Sequence, residues 1–306
     1  MNQNPATGVS HLKVYSFLIL TTIFWGGSFI FNKIGFREVP PVAFFAIRFT
    51  VATVIMACIC IPRWRNFTFE TLKGGFLVGL ALAATNFTFV VGLSGTSVTR
   101  AGFLNNLFVL FIPLICFILW RHRVGAAGLA GIILAMGGIW QLAQGGAGGF
   151  SRGDLISTVC AVFIAIHIIT VSRILKDDDV YLVSLVQFAT VMICGWILVL
   201  VSPPPQFAMG LESAVAIAYC AIFPTVICFT IQNTWQRYTN PTQAGLIYTL
   251  DPVWSMIGGF LVLGERMNSG EWLGCLLIFC AVLLPLCIRY LRERHLKRAA
   301  AFSGRK

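Results

Sequence analysis

Long apolar runs alternate with short polar connectors along most of the chain. Each run is about 18 to 23 residues long, the length that a helix needs to cross a hydrocarbon core about 30 Å thick. The pattern therefore predicts ten membrane-spanning helices: Val14–Gly35, Pro41–Ile61, Gly74–Leu93, Ala101–Leu119, Val124–Gln141, Asp154–Val171, Val180–Val201, Ser213–Gln236, Thr242–Leu263 and Gly270–Arg289.

The composition points to the same class of protein. Of the 306 residues, 58% are hydrophobic and only 11% are charged, and the mean hydropathy is +0.84. A soluble domain cannot bury that much apolar surface. A membrane β-barrel would show short alternating segments in place of long apolar runs. The predicted fold class is an all-α polytopic membrane protein.

The cysteines and motifs exclude several kinds of chemistry. All ten cysteines lie inside apolar runs, and their spacing indicates neither a disulfide framework nor a metal site. We interpret them as reduced packing residues. The sequence contains no Walker phosphate loop and no HExxH motif. It therefore predicts no metal, no cofactor and no ATP drive.

The basic residues predict the orientation in the membrane. With the N-terminus in the cytoplasm, 16 Lys and Arg residues fall on the inner side and five on the outer side. Cytoplasmic connectors carry such an excess, so both termini are predicted to be cytoplasmic. The net charge of +11 is explained in this way and does not indicate nucleic-acid binding. The first apolar run lacks a small-residue cleavage site and is predicted to be retained.

The chain contains an internal repeat. Residues 101–139 align without a gap to residues 244–282, an offset of 143 positions that superimposes Ala101-Gly102 on Ala244-Gly245. So long a period indicates a duplicated half-protein. The predicted segments are a leader 1–13, a first five-helix repeat 14–141, a Gly-rich connector 142–153, a second five-helix repeat 154–291 and a basic tail 292–306. Because five is odd, the repeats must cross the membrane in opposite senses, which is an inverted repeat.

Three stretches resemble the EamA-type carriers of the drug/metabolite transporter superfamily. They are FWGGSFIFNKIGFREVPPVAFFAIRF at 24–49, SVTRAGFLNNLFVLFIPL at 97–114 and NPTQAGLIYTLDPVWSMIGGFLVLGERM at 240–267. The resemblance covers nearly all of residues 14–290. It implies ten helices in two inverted repeats, cytoplasmic termini, a central cavity and the transport of small metabolites. Relatives often have Glu before the proline of the ninth helix, where this chain has Asp251.

Asp251 is the one carboxylate that lies deep in a predicted span, about 13 Å from its inner end. It precedes Pro252, whose missing N–H predicts a kink and a hinge. Polar groups are costly inside a bilayer, so Asp251 is interpreted as a coupling site for a proton or for a substrate amine. The alternative is a structural ion pair with Arg48, which is predicted about 10 Å below the outer face.

A second polar pair is predicted on the inner side. Arg48 aligns with Gln187 through the tripeptides IRF and VQF, and His167 falls at a depth similar to that of Gln187. A pH-linked gate is one interpretation, because imidazole titrates in the relevant range. A hydrogen bond between helices is the alternative.

The repeat pairs Asn105-Asn106 with Tyr248-Thr249, each about one turn inside a helix that begins with Ala-Gly. The first turn of a helix has free N–H groups, which suit a substrate carboxylate. Polar contacts between helices are the alternative. Other predicted cavity and hinge residues are Trp25, Asn86 and Pro224, with Gln232 and Asn233 as weaker candidates near the inner side.

The leading hypothesis is a secondary carrier that exports small metabolites, amino acids or related compounds, across the inner (plasma) membrane of a bacterium by alternating access. Uptake or facilitated exchange of sugars, nucleosides or drugs is a second transport hypothesis. A membrane-embedded enzyme or interaction protein is the alternative of another class. The predicted partners are a small-molecule substrate, the lipid bilayer and, for a coupled carrier, protons. No oligomeric state follows from the sequence.

Overall fold

The structure is a computed structural model. It describes residues 11–96, 98–121, 123–143, 151–175, 179–202, 209–255, 257, 269–270, 272–274, 276–284, 287–288 and 291. Most of the predicted leader and connector, the turn at 264–266 and the basic tail lie outside the described residues. The division of the chain into five segments stays a prediction.

The described chain is helical throughout its length. Helices α1 to α11 are His11–Gly35, Pro41–Cys60, Phe69–Ser94, Val98–Asn106, Phe108–Trp120, Ala126–Ala143, Arg152–Ile174, Val180–Val201, Leu211–Ala221, Cys228–Trp235 and Pro241–Tyr248. The 3-10 helices Ile61–Asn66 and Gln236–Tyr238 extend α2 and α10, and the π-helix Ile222–Ile227 joins α9 to α10. Helical backbone also occurs at 251–255 and 276–284.

Six helical segments are long and apolar enough to cross a membrane: Leu12–Gly35, Pro41–Asn66, Phe69–Ser94, Arg152–Ile174, Val180–Val201 and Leu211–Tyr238. Shorter apolar helices occur at Leu104–Trp120, Ala126–Gln141 and Trp272–Leu284. The prediction of an all-α membrane protein is confirmed. The count of ten spans and the placement of the termini stay predictions.

The helix starts follow from their capping residues. Thr68 accepts a hydrogen bond from Thr71 N (3.1 Å) at the start of α3, and Asn240 accepts one from Gln243 N at the start of α11. At the start of α7, Ser151 and Asp154 form a reciprocal capping box. These side chains satisfy backbone N–H groups that have no partner within the helix.

The contacts between helices have the pattern of a two-fold axis. The predicted repeat pairs α1 with α7, α2 with α8 and α3 with α9. In the structure α3 packs along α7 and α8, α9 packs along α1 and α2, and α2 packs along α8. Exchanging the two halves leaves these contacts unchanged. A two-fold axis that passes between α2 and α8 would produce this pattern of helix contacts.

Small residues bring the two halves close together. A Cβ added to Gly75 would lie 2.6 Å from Val186 Cβ, and one added to Gly79 would lie 2.7 Å from Thr190 Cβ. Because only glycine has no Cβ, α3 and α8 approach each other more closely here than larger residues allow. Membrane helices commonly associate through such small residues.

The outer surface is apolar over much of its area. Leu200 and Leu211 are 82% and 81% exposed, and Ile133 and Trp140 are 64% and 62% exposed. Exposed apolar side chains on this scale are typical of a surface that faces lipid. The core between the helices is also apolar, and its largest fully buried side chains include Phe44, Phe45, Phe49, Phe188 and Tyr248.

Candidate functional site

Both halves of the chain line one internal cavity of about 120 Å³. Its walls combine aromatic side chains, amides and two oppositely charged groups. The lining residues are Trp25, Ser28, Phe29, Arg48, Leu82, Thr85, Asn86, Phe89, Asn105, Asn106, Phe108, Ile164, His167, Ile168, Phe229, Gln232, Tyr248 and Asp251.

A broken helix of each half reaches this cavity. In the first half, α4 ends at Asn106 and α5 begins after Leu107. In the second half, α11 ends at Tyr248 and helical backbone resumes at residue 251, after Thr249 and Leu250. Leu107 and Leu250 are 143 positions apart, so the two breaks are equivalent in the repeat.

The same hydrogen bonds form at the two breaks. Leu107 N donates to Leu104 O and Leu250 N donates to Ile247 O, both at 3.2 Å. Each bond spans three residues, in place of the four of an α-helix. The helix then restarts from the leucine oxygen, which accepts from Phe111 N in the first half (3.3 Å) and from Trp254 N in the second (3.2 Å).

The two broken helices also contact each other. A Cβ added to Gly102 would lie 3.8 Å from Pro252 Cβ, and one added to Gly245 would contact Ile112 and, at 3.7 Å, the ring of Phe108. The glycine before each break therefore lies against the segment after the other break. Irregular backbone at membrane depth is tolerated where it is buried in protein or lines a cavity.

Several buried polar atoms of the cavity residues have no hydrogen-bond partner among the residues that the structure describes. They are both amide atoms of Asn105, Oδ1 of Asn106, Oε1 of Gln232 and Oδ1 of Asp251. Buried polar groups are almost always hydrogen-bonded in folded proteins. A cluster of such polar atoms around one cavity is therefore typical of a cavity that binds water or a polar ligand.

Arg48 is held in place by the π-helical segment of the second half. Its Nε donates to Cys220 O (3.1 Å) and to Thr225 Oγ1 (2.8 Å), and the guanidinium lies 5.4 Å from the Phe49 ring centroid. The side chain is 4% exposed. Its terminal Nη nitrogens make no hydrogen bond to any residue that the structure describes.

The alternative of an Arg48–Asp251 ion pair is not supported. Both side chains line the cavity, and yet among the described residues no acid lies within 4.0 Å of the guanidinium and Asp251 Oδ1 has no partner. The physical reason is that Arg48 is held by the backbone and hydroxyl groups of another helix. Both side chains line the same cavity without forming an ion pair with each other.

Trp25 provides part of an aromatic wall. Its Nε1 donates to Pro224 O (3.0 Å), and its ring lies 5.1 Å from the Tyr248 ring and 5.6 Å from the Phe229 ring. Tyr248 OH donates to Gln236 Oε1 (3.0 Å). Because both polar atoms have protein partners, these residues present mainly ring surface to the cavity.

His167 and Gln187 are in contact between helices, with 3.4 Å between their Nε2 atoms. Asn233 Nδ2 donates to Gln187 Oε1 (2.7 Å) and to Ser184 Oγ (3.0 Å). His167 lines the cavity, whereas Gln187 lies behind it. The contact agrees with the predicted hydrogen bond, and the gating interpretation stays a prediction.

Thr249 and the two prolines lie outside the cavity lining. Thr249 is fully buried, and its hydroxyl donates to Leu246 O (2.7 Å), so it stabilises the end of α11. Pro252 follows the break in the second half. Pro224 lies within the π-helix, where Thr225 Oγ1 donates to Cys220 O (2.6 Å).

Sequence reasoning missed the ring side chains that complete the cavity. Phe29 and Phe89 follow the candidates Trp25 and Asn86 by four and three residues, and Phe229 precedes Gln232 by three. Residues three and four apart share one face of a helix. Extending each candidate along its helix face would have found them. Gln232, a weaker candidate, also lines the cavity.

Polar contacts link the two halves near the end of α1. The Glu38 carboxylate accepts from Gly210 N (3.0 Å) and Ser213 N (3.3 Å) at the start of α9. The Ser213 side chain and these backbone N–H groups lower the pKa of Glu38, because they stabilise the ionised form. Nearby, Lys33 Nζ donates to Thr96 O (3.0 Å).

Comparison with known proteins gives a consistent family. The model of the EamA-like transporter family matches residues 12–143 and again residues 151–287. The chain is 28% identical over 284 residues to an uncharacterized transporter of Archaeoglobus fulgidus, covering 92% of this chain and 88% of that protein.

Two bacterial relatives are similar over most of their length. The uncharacterized inner membrane transporter YedA of Escherichia coli K12 is 22% identical over 285 residues, 92% of each chain. The uncharacterized transporter YyaM of Bacillus subtilis is 25% identical over 290 residues, 90% of this chain and 94% of that protein. One solved crystal structure has the same fold, with a TM-score of 0.73 at 18% identity, covering 90% of this chain and 98% of that one.

Proposed function

The chain belongs to the EamA-like transporter family, and on that premise we propose that it is a secondary carrier that exports small metabolites, amino acids or related compounds, by alternating access. The family and the named relatives make it a membrane transport protein and not an enzyme. The substrate class, the direction and the mechanism are the parts that we propose.

The single observation behind the proposal is the cavity between two equivalent helix breaks. Carriers built from inverted repeats place their substrate site near the middle of the membrane, between the repeats and beside discontinuous helices. Here Leu107 and Leu250 mark breaks at the same repeat position, and the cavity receives side chains from both halves. The unpartnered amide of Asn105 supplies hydrogen-bonding groups for a ligand.

The proposed topology has ten spans in two inverted repeats, with both termini in the cytoplasm of a bacterium. In this orientation Glu38 and the start of α9 lie at the outer face. Their hydrogen bonds, and the bond from Lys33 to Thr96, would hold the outer side closed. Export would require these contacts to open once the substrate had entered from the inner side.

We propose Asp251 as the coupling residue. A buried carboxylate without a hydrogen-bond partner on one oxygen is costly unless it binds a proton or a cation. If a proton and the substrate amine bind there in turn, substrate movement is coupled to proton movement in the opposite direction. Pro224 and Pro252 lie where the helices are irregular and are the proposed hinges.

Reconstitution in liposomes tests the proposal. Purified protein should support counterflow of a radiolabelled amino acid. With an inward-directed proton gradient, the amino acid should accumulate outside the liposomes, because it moves in the direction opposite to the protons. Empty liposomes and liposomes with an unrelated membrane protein are the controls. The absence of counterflow for amino acids, sugars, nucleosides and cationic drugs alike would contradict the carrier function.

A further inference from the structure

Arg48 is a buried cation whose neutralising partner is missing from the described protein. Its Nε is satisfied by Cys220 O and Thr225 Oγ1, neither of which carries a full negative charge. Arg48 lines the cavity, and its terminal nitrogens form no hydrogen bond to any residue that the structure describes. They are therefore available to an anion. A guanidinium binds a carboxylate through two parallel hydrogen bonds, which is its strongest pairing with an organic anion.

Asp251 presents the opposite charge to the same space. Its Oδ1 is buried without a partner, and no ion pair joins it to Arg48 among the described residues. Burial of a charged group is costly unless it is paired, and in a membrane protein such groups face a cavity or a pathway. A ligand with one positive and one negative group would neutralise both residues at once.

The remainder of the cavity selects the body of such a ligand. Trp25 and Tyr248 have their polar atoms bonded within the protein, so that they offer ring surface. Phe29, Phe89 and Phe229 add further apolar walls. A polar or charged side chain on the ligand would lose its hydration against these rings, whereas an apolar side chain would be buried favourably.

We infer that the cavity recognises a zwitterion with an apolar side chain, its carboxylate at Arg48 and its ammonium at Asp251. This inference rests on the proposed transport function and specifies the substrate chemistry of the same site. Asn105, which has both amide atoms without a partner, is a further hydrogen-bonding group for the two charged ends.

The chemistry predicts which analogues are rejected. Amidation removes the carboxylate and leaves Arg48 unpaired, and N-acetylation removes the ammonium and leaves Asp251 unpaired. A hydrogen bond to a charged group contributes about 1.5–3 kcal/mol, so each derivative should bind roughly 10-fold to 150-fold more weakly than its parent.

The first experiment uses the unmodified protein. Thermal unfolding in detergent is measured with L-leucine, L-methionine and L-phenylalanine, and with the amide and the N-acetyl derivative of each. At least one parent amino acid should raise the Tm by mass action, and its two derivatives should not do so at the same concentration. A derivative that binds as tightly as its parent, or the failure of all three amino acids to bind, would overturn the inference.

Two variants assign the charged ends. In Arg48→Gln the preference for the amino acid over its amide should disappear, while the preference over the N-acetyl derivative persists. Asp251→Asn should give the reverse result, and it remains informative if Arg48→Gln fails to fold. Arg65→Gln removes an exposed arginine outside the cavity and is the matched control. Unchanged preferences in both site variants would overturn the assignment.

The failure of this inference is distinguishable from the failure of the proposed function. Counterflow of a sugar or nucleoside by a protein that binds none of the amino acids would overturn the zwitterion site and leave the carrier function intact. Binding of an amino acid with the predicted selectivity, but without counterflow in liposomes, would support the site and contradict the carrier function.

Discussion

The two helix breaks have the same backbone and different side chains. In both halves a leucine N–H bonds three residues back, and the helix restarts from the oxygen of the same leucine. In the first half the next two residues are Phe108 and Val109, whereas in the second they are Asp251 and Pro252. The break in the first half therefore forms without a proline at the equivalent position.

The charged residues show the same difference between the halves. Arg48 of the first half lines the cavity, and its repeat equivalent Gln187 lies behind it in a network with His167. Asp251 lines the cavity from the second half, where the first half has Phe108. Each half contributes one charge. The comparison shows that the two halves share the backbone of the break and differ in the side chains that they bring to the cavity.

Removing the charge of the second half should have the largest effect. Asp251→Asn cannot release a proton, so proton-driven export should be lost, whereas substrate exchange should persist at a raised substrate concentration. Both modes are measured in liposomes with radiolabelled L-leucine, with and without a pH gradient. The substitution would make the second break as uncharged as the first.

Glu70→Gln is the matched control, because Glu70 is exposed at the start of α3 and does not line the cavity. It should retain both transport modes. Loss of folded protein together with both transport modes in Asp251→Asn would instead assign Asp251 a structural role. Proton-driven export that survives in Asp251→Asn would rule out coupling at this residue.

Filling the contact beside the second break should have the next largest effect. A Cβ on Gly26 would lie 2.8 Å from Asp251 O and 3.0 Å from Ser255 N, which are backbone atoms. Gly26→Ala should therefore destabilise the protein by about 1–3 kcal/mol, the usual cost of overpacking. Chemical or thermal unfolding in detergent measures the change.

Gly137→Ala provides the control for Gly26→Ala. Gly137 lies within α6, and a Cβ there would meet nothing within 4 Å. The substitution should stabilise the protein by roughly 0.5–1 kcal/mol, because alanine loses less backbone freedom on folding. Equal effects of the two substitutions would show that the close contact of α1 with the second break is not important for stability.

The sequence predicted the membrane helices and the repeat because both depend on local pattern. The apolar runs specify the long spans, and the Ala-Gly register aligns the two repeats. The prediction that the helices begin at Ala-Gly was wrong: they begin at Val98 and Pro241 and end at Asn106 and Tyr248. The predicted polar pairs therefore lie at the ends of α4 and α11 and not in a first turn.

The break at Leu107 had no local signal: Pro113 lies six residues beyond it. The residues packed against this break come from the other half, where Gly245 lies against Ile112 and Phe108.

The site was predictable where a polar residue is unusual for its depth. Asn86, Asn105 and Asp251 were identified for that reason, and all three line the cavity. Thr249 does not line it, because its hydroxyl bonds to the backbone of its own helix. The direction of a side chain at a helix break depends on local geometry that repeat alignment does not contain. Nor could a single sequence show that Arg48 is held by the π-helix.

Asn105 and Thr249 test the same comparison at a smaller scale. Asn105 has no protein partner for either amide atom, so Asn105→Ala should leave stability unchanged or slightly raised. Substrate affinity should fall about 2-fold to 12-fold, corresponding to one net hydrogen bond of 0.5–1.5 kcal/mol. Binding is measured by titration of the Tm.

Thr249→Ala alters the repeat position of Asn106, the neighbour of Asn105. It should affect stability more than affinity, the reverse of Asn105→Ala. Its hydroxyl has a backbone partner and the residue lies outside the cavity lining, so stability should fall slightly and affinity should change little. A loss of affinity in Thr249→Ala comparable to that in Asn105→Ala would mean that the polar pairs of both halves serve the substrate.

The smallest expected effect concerns how each half begins its third helix. Thr68 caps the start of α3. Its counterpart α9 begins after Gly210, which forms no side-chain cap, and the N–H groups of Gly210 and Ser213 donate instead to the Glu38 carboxylate of the other half. Hydrogen bonds from the Ser213 side chain and from Gly210 N–H and Ser213 N–H lower the pKa of Glu38. The contact therefore stabilises the protein above the ordinary pKa of Glu, about 4.3, and this contribution is lost as the pH falls through the lowered pKa.

Glu38→Gln should accordingly lower the Tm slightly near pH 7, and the difference from the unmodified protein should shrink as the pH falls below about 4.3. Glu212→Gln alters an exposed carboxylate in the first turn of the same helix and controls for general charge near the α9 start. Because Glu38 links the two halves, its loss should also ease separation at that end of the molecule. A Tm difference that is constant from pH 7 to pH 3, or equal in the two variants, would show that the ionised Glu38 does not stabilise this contact.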